Sequence, residues 1–137
     1  MLPLFSARLS PVVALFAQAF LAGVCMAAPA SGLAGTWRGQ SICPTDAPAC
    51  HNENVVYYIK DVPDRPDLVL IQADKIVDGK AVTMGTGQWQ HDRAQHTLEW
   101  RMPQRVWFLK ITGNRIEGTL TLPDKTVVRK MTLDKDE

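Results

Sequence analysis

Gly35-Thr36-Trp37-Arg38-Gly39-Gln40-Ser41-Ile42-Cys43, followed after a short loop by Cys50-His51, is the stretch on which the fold turns. Trp37, Gly39 and Ser41 alternate with Thr36, Arg38 and Gln40. That period of two belongs to a strand with one buried face. The loop that follows, Pro44-Thr45-Asp46-Ala47-Pro48-Ala49, carries two prolines and is predicted not to be a strand. A short helix between Ala47 and Asn52 stays open as an alternative.

Working toward the start of the chain, residues 1–30 read as a secretory signal peptide rather than as part of the fold. Arg8 is the one charged residue before Arg38. It precedes the apolar run Val12-Val13-Ala14-Leu15-Phe16-Ala17, continued by Phe20-Leu21-Ala22-Gly23-Val24, and then the small residues Ala27-Ala28-Pro29-Ala30. A basic start, a short apolar core and a small-residue end are the three parts of such a signal. The apolar core is too short for a membrane span. Cleavage is expected after Ala30, with Ala27 and Ala28 as alternatives. Cys25 raises the possibility of a lipid-modified cysteine, against which stands Val24, where such signals carry Gly or Ala.

Cleavage leaves residues 31–137, a single domain by length. The full chain carries 15 Lys and Arg against 14 Asp and Glu. Losing Arg8 brings the mature chain to neutrality. A neutral chain without a basic run argues against nucleic acid as partner, because phosphate neutralisation supplies most of that affinity. Cys43 and Cys50 remain as a pair, and in an exported chain they are expected to form one disulfide. Closing that eight-residue loop is worth about 2.5 kcal/mol by chain entropy. The spacing is not Cys-x-x-Cys, so a redox role is not expected.

Toward the other end, strand-like runs alternate with turns. Asn54–Lys60 is dense in β-branched and aromatic residues, and Pro63 and Pro66 punctuate the loop after it. Leu68–Ile76 is the most apolar stretch beyond residue 30 and reads as a strand buried on both faces or crossing a wall. Asp78-Gly79 signals a tight hairpin into Ala81–Gln90, where Gly85 and Gly87 suggest a bulge. Runs at 96–101, 105–111, 115–122 and 126–133 follow, and the charged tail Asp134–Glu137 is expected to fray. Eight short strands on short connections predict an all-β domain, a small antiparallel eight-stranded up-and-down barrel with one disulfide.

Gly35-Thr36-Trp37 resembles the Gly-x-Trp opening of the calycin group, which includes lipocalins, fatty-acid-binding proteins and avidins. That resemblance implies a lipocalin-like barrel with the Trp plugging one end. Gly35–Gly39, Cys43 with Cys50-His51-x-Glu53, Ile71–Ile76 and Glu117–Leu120 are also similar to short exported bacterial proteins of unknown function. This second resemblance implies no activity.

Candidate chemistry is sparse. Ser31 and Ser41 are the only serines after residue 30, and neither sits in a Gly-x-Ser-x-Gly elbow. Glu53, Glu99 and Glu117 have no sequence reason to pair. His91 and His96 flank one turn without a zinc-type spacing, so no metal or other cofactor is expected. The reading is therefore not an enzyme but an exported, periplasmic or secreted, binding protein. Its expected site is an apolar cup at the open end lined by Trp89, Trp100, Trp107 and Tyr57, taking a small apolar or aromatic ligand. With strands this short the cup is expected to be shallow. Arg101 and Arg105, beside Pro103, form a possible anion-reading rim or a solvated hairpin end. The alternative is an envelope protein-interaction or inhibitor-like module that uses the loop from Cys43 to Glu53.

Overall fold

The computed structural model describes residues 23–24 and 30–137. The signal peptide, its cleavage alternatives and Cys25 therefore lie, apart from Gly23, Val24 and Ala30, outside the described residues. Eight strands follow one another: β1 (Gly35–Ile42), β2 (Glu53–Asp61), β3 (Leu68–Val77), β4 (Lys80–Asp92), β5 (Thr97–Met102), β6 (Arg105–Thr112), β7 (Arg115–Thr121) and β8 (Val127–Lys135). Each pairs antiparallel with its neighbour, and β8 returns to β1 to close the barrel. The expected up-and-down barrel is the fold.

Turn chemistry explains the sharp reversals. Asp78 and Gly79 both take left-handed backbone angles, φ 51° and 77°, as a two-residue hairpin between right-twisted strands requires. Gly113, at φ 58°, opens another two-residue turn, from β6 into β7. Cys43 and Cys50 are bonded, as expected. Their loop contains a turn, with the Cys50 amide donating to the Ala47 carbonyl at 3.0 Å, and no helix.

At two places, one of them the closing seam, neighbouring strands leave no room for a side chain. A Cβ at Gly39 would stand 1.8 Å from the Thr132 carbonyl oxygen across the β1–β8 seam. A Cβ at Gly118 would stand 2.1 Å from the Phe108 carbonyl oxygen across β6–β7. No other residue fits either place. The predicted bulge falls opposite Ala73 and Asp74, where the β3–β4 register slips past Met84, immediately before Gly85.

Alternation sorts the side chains into an inner and an outer face. Seven inward side chains fill one end: Trp37, Ile59, Val69, Leu98, Leu109, Ile116 and Leu133, each no more than 2% exposed. Trp37 crosses this closed end and donates its indole N–H to the Leu33 carbonyl at 2.8 Å. Leu33 is itself buried, so residues 31–34 fold across the barrel as a plug. Lys135 rests its ammonium 5.8 Å from the centre of the Trp37 ring and donates to the Gly32 carbonyl.

Two expectations need correcting. The charged tail does not fray from Asp134: β8 runs on to Lys135 in register with Trp37, Asp134 pairs with Arg115, and Asp136 pairs with Arg38. The closing ladder needs those residues. Nor is β3 fully buried on both faces, since Leu70 and Ile76 are only half-covered. On the same outer face Asp74 and its β2 partner Val56 are nonetheless buried.

Two outcomes follow from this packing. Trp37→Ala is expected to lower unfolding free energy by ~3–5 kcal/mol in urea titration, and a loss below ~1 kcal/mol would take the indole out of the core. The folded, oxidised chain beyond residue 30 is expected to show no reactive thiol with or without denaturant, and a titratable thiol would refute the Cys43–Cys50 bond.

Candidate functional site

Opposite the plug, the barrel interior opens into a cavity of about 350 Å³. The strand ends that frame it are the start of β2, β4, β6 and β8 and the finish of β1, β3, β5 and β7. The Cys43–Cys50 loop joins β1 to β2 at this same end. All four residues expected to form a cup, Tyr57, Trp89, Trp100 and Trp107, line it.

Strand register brings them together. Trp100 and Trp107 are direct cross-strand partners on β5 and β6. Trp89 comes from β4, one strand further, and is the hub of the cluster. Its ring centre lies 5.5 Å from Trp100, 6.3 Å from Trp107 and 6.4 Å from Tyr57, all in tilted arrangements. Such offsets suit the positive edge and negative face of neighbouring rings. Trp89 and Tyr57 are buried, whereas Trp100 and Trp107 are half-buried and present ring area to the cavity.

The position of Trp100 has a local cause. β4 and β5 pair over only three residues, Gln90–Asp92 with Thr97–Glu99. Beyond them the two strands part, and the Trp100 ring takes the space against Gly87. A Cβ at Gly87 would stand 2.9 Å from the Trp100 ring, so glycine makes the seat. The two glycines read from the sequence as one irregularity thus have separate jobs: Gly85 beside the bulge and Gly87 beneath the indole.

Three methionines, Met84, Met102 and Met131, complete the apolar wall with Val55, Ile71, Ala73 and Leu120. Methionine adapts its shape without cost to the barrel and packs well against aromatic rings. Tyr57 keeps its hydroxyl neutral. Burial drives its pKa far above the usual phenol value, opposed by the nearby Arg129 and reinforced by Glu53.

The mouth is polar, and most of it escaped the sequence reading. Arg129 on β8 points inward because it shares a face with Met131 and Leu133. Its guanidinium donates to the His51 carbonyl at 3.0 Å and to the Ser41 hydroxyl at 3.2 Å. It also lies 3.5 Å from Glu53, whose other oxygen meets Lys75 at 3.4 Å. Ser41 is buried beneath this group. Arg129 therefore ties the root of the disulfide loop to the cavity rim. The alternation Val127-Arg129-Met131-Leu133 was the available signal, but an arginine inside a barrel runs against residue-type expectation.

Arg101 and Arg105, grouped by the sequence as one rim, are separated by the pleat. Arg101 faces out and pairs with Glu99. Arg105 faces in and lines the cavity. His91 and His96 are likewise split. His91 is buried on the interior face toward the plugged end, and His96 is a turn residue at φ 55°. Among the described residues no three His, Cys, Asp or Glu side chains are grouped to hold a metal ion, and no helix is long and apolar enough to cross a membrane.

His91 carries an acid-sensitive element of the fold. Its Nδ1 is buried with no hydrogen-bond partner among the described residues. Burial, then the charge of Arg93, lowers its pKa, against the opposing pull of Asp61 and Asp92. A lowered pKa means that the unfolded chain takes up the proton first as pH falls below about 6.5. The His91 contribution is thus present above that pH and lost on acidification. The urea midpoint of the native chain is expected to fall between pH 7 and 5 more steeply than that of His91→Phe. Equal slopes would refute the assignment.

Compared with known proteins, the chain matches no protein-family model and no curated protein.

Proposed function

We propose that this chain is an exported, non-catalytic binding protein that takes a small apolar or aromatic ligand in the open end of its barrel. The observation that carries this reading is the cavity of about 350 Å³ walled by Tyr57, Trp89, Trp100 and Trp107 above a closed end of buried apolar side chains. Ligand pockets of proteins span roughly 300–1,000 Å³ and are mostly apolar, with a few placed polar groups. This one sits at the small end of that range, in keeping with short walls. A barrel built only for stability has no use for half-buried indoles facing open volume.

Export is supported by the basic-apolar-small pattern of residues 1–30 and by the Cys43–Cys50 bond, which persists in oxidising compartments. The absence of catalysis rests on the cavity wall itself. Its hydroxyls are Ser41, which lies beside an arginine and not a general base, and Tyr57, held neutral by burial. Glu53 is committed to two cations.

Native mass spectrometry of the protein purified from an exporting host tests the reading directly. The expected spectrum shows a chain beginning near Ser31, two hydrogens short for the disulfide, with a discrete small organic adduct. Trp100→Ala is expected to weaken binding of that compound at least tenfold, equivalent to about 1.4 kcal/mol. A bare protein whose Trp emission responds to no small aromatic compound would overturn the proposal and favour the disulfide loop as a protein contact.

A further inference from the structure

Charges at the mouth are unbalanced. Among the described residues the one carboxylate lining the cavity is Glu53, and it is held between Lys75 at 3.4 Å and Arg129 at 3.5 Å. Arg105 enters the same cavity from β6, with β7 between it and Arg129. No described residue offers Arg105 an ion pair or an accepting oxygen, whereas Arg101, across the same hairpin, is paired with Glu99 outside. Three cations therefore meet one anion at the rim, and the arginine with an unengaged guanidinium stands next to the aromatic wall.

Resting on the binding reading above, we propose that the ligand is a small aromatic carboxylate. Its ring lies among Trp89, Trp100 and Trp107, and its carboxylate is received by Arg105. Volume limits the ring. At ~30 Å³ for each water-sized group, the cavity holds on the order of a dozen such groups, which fits one or two fused rings and excludes a long acyl chain. Chemistry selects the head. A guanidinium offers a planar fork that meets a carboxylate with two parallel hydrogen bonds. Discrimination comes from repulsion as well, since a cationic head on the same ring would face Arg105 and Arg129.

Calorimetric titration of the exported chain with indole, indole-3-acetate and tryptamine separates the ring from the head. Indole-3-acetate is expected to bind at least tenfold tighter than indole, with tryptamine weakest. Indole N–H signals of Trp89, Trp100 and Trp107 should shift on binding in ¹H–¹⁵N spectra. Arg105→Gln should bring indole-3-acetate down to the level of indole, while Arg101→Gln, on the outer face, should keep the preference. Equal binding of indole and indole-3-acetate would overturn the carboxylate assignment and leave the aromatic cup standing. So would loss of the preference in both arginine variants, because that would make it a property of net charge. A preference for tryptamine would reverse the sign and overturn it as well. Failure of all three to bind at millimolar concentration would overturn the cup itself.

Discussion

The ladder that joins β1 to β8 is the constraint on which the molecule depends. Six consecutive residue pairs, from Trp37 with Lys135 to Ile42 with Lys130, turn a curled sheet into a closed wall. Closure removes both sheet edges, which would otherwise present unpaired backbone groups for aggregation. It also makes an inside, which holds both the apolar core and the aromatic-lined cavity. Gly39 is the single residue that permits the seam, because the Thr132 carbonyl occupies the place of its side chain. The charged C-terminal residues, unremarkable as a sequence, are recruited as the last rungs.

Given closure, the interior divides into two regimes along its length. At one end seven apolar inward side chains meet beside the buried His91, with Trp37 and Leu33 sealing the floor. Packing there is what stabilises the fold. At the other end the inward positions go to tryptophans, methionines and charged residues, and the interior does not fill. The disulfide loop and the Arg129 cluster lie at this end. The packed core and the open cavity are thus set at opposite ends of the barrel axis. A ring of aromatic side chains between the two regimes, with Trp89 at its centre, belongs to both.

The mouth illustrates how a half-buried charge is accommodated. Arg129 is oriented by the Ser41 hydroxyl, the His51 carbonyl and Glu53, and Glu53 is shared with Lys75. Each partner reduces the cost of taking charge partly out of water. Arg105 has no such shell and remains available, which is why the charge excess at the rim is concentrated on it.

The sequence by itself determined the number of strands, their boundaries to within about two residues, the hairpin at Asp78-Gly79, the disulfide pairing and the four aromatic residues of the cup. Periodicity, turn chemistry and cysteine arithmetic are local signals, and local signals survive without coordinates. Tertiary structure alone decided which face of each strand turned inward when both carried apolar residues, as in Leu68–Ile76. It alone set the register that puts Trp100 opposite Trp107 and seats Trp100 on Gly87. It also separated Arg101 from Arg105, adjacent in reading but opposite across the pleat, and brought Ser41, Glu53, Lys75 and Arg129 from four strands to one rim. Those outcomes depend on contacts between residues as much as 88 positions apart, fixed by closure and not by any neighbour in the chain.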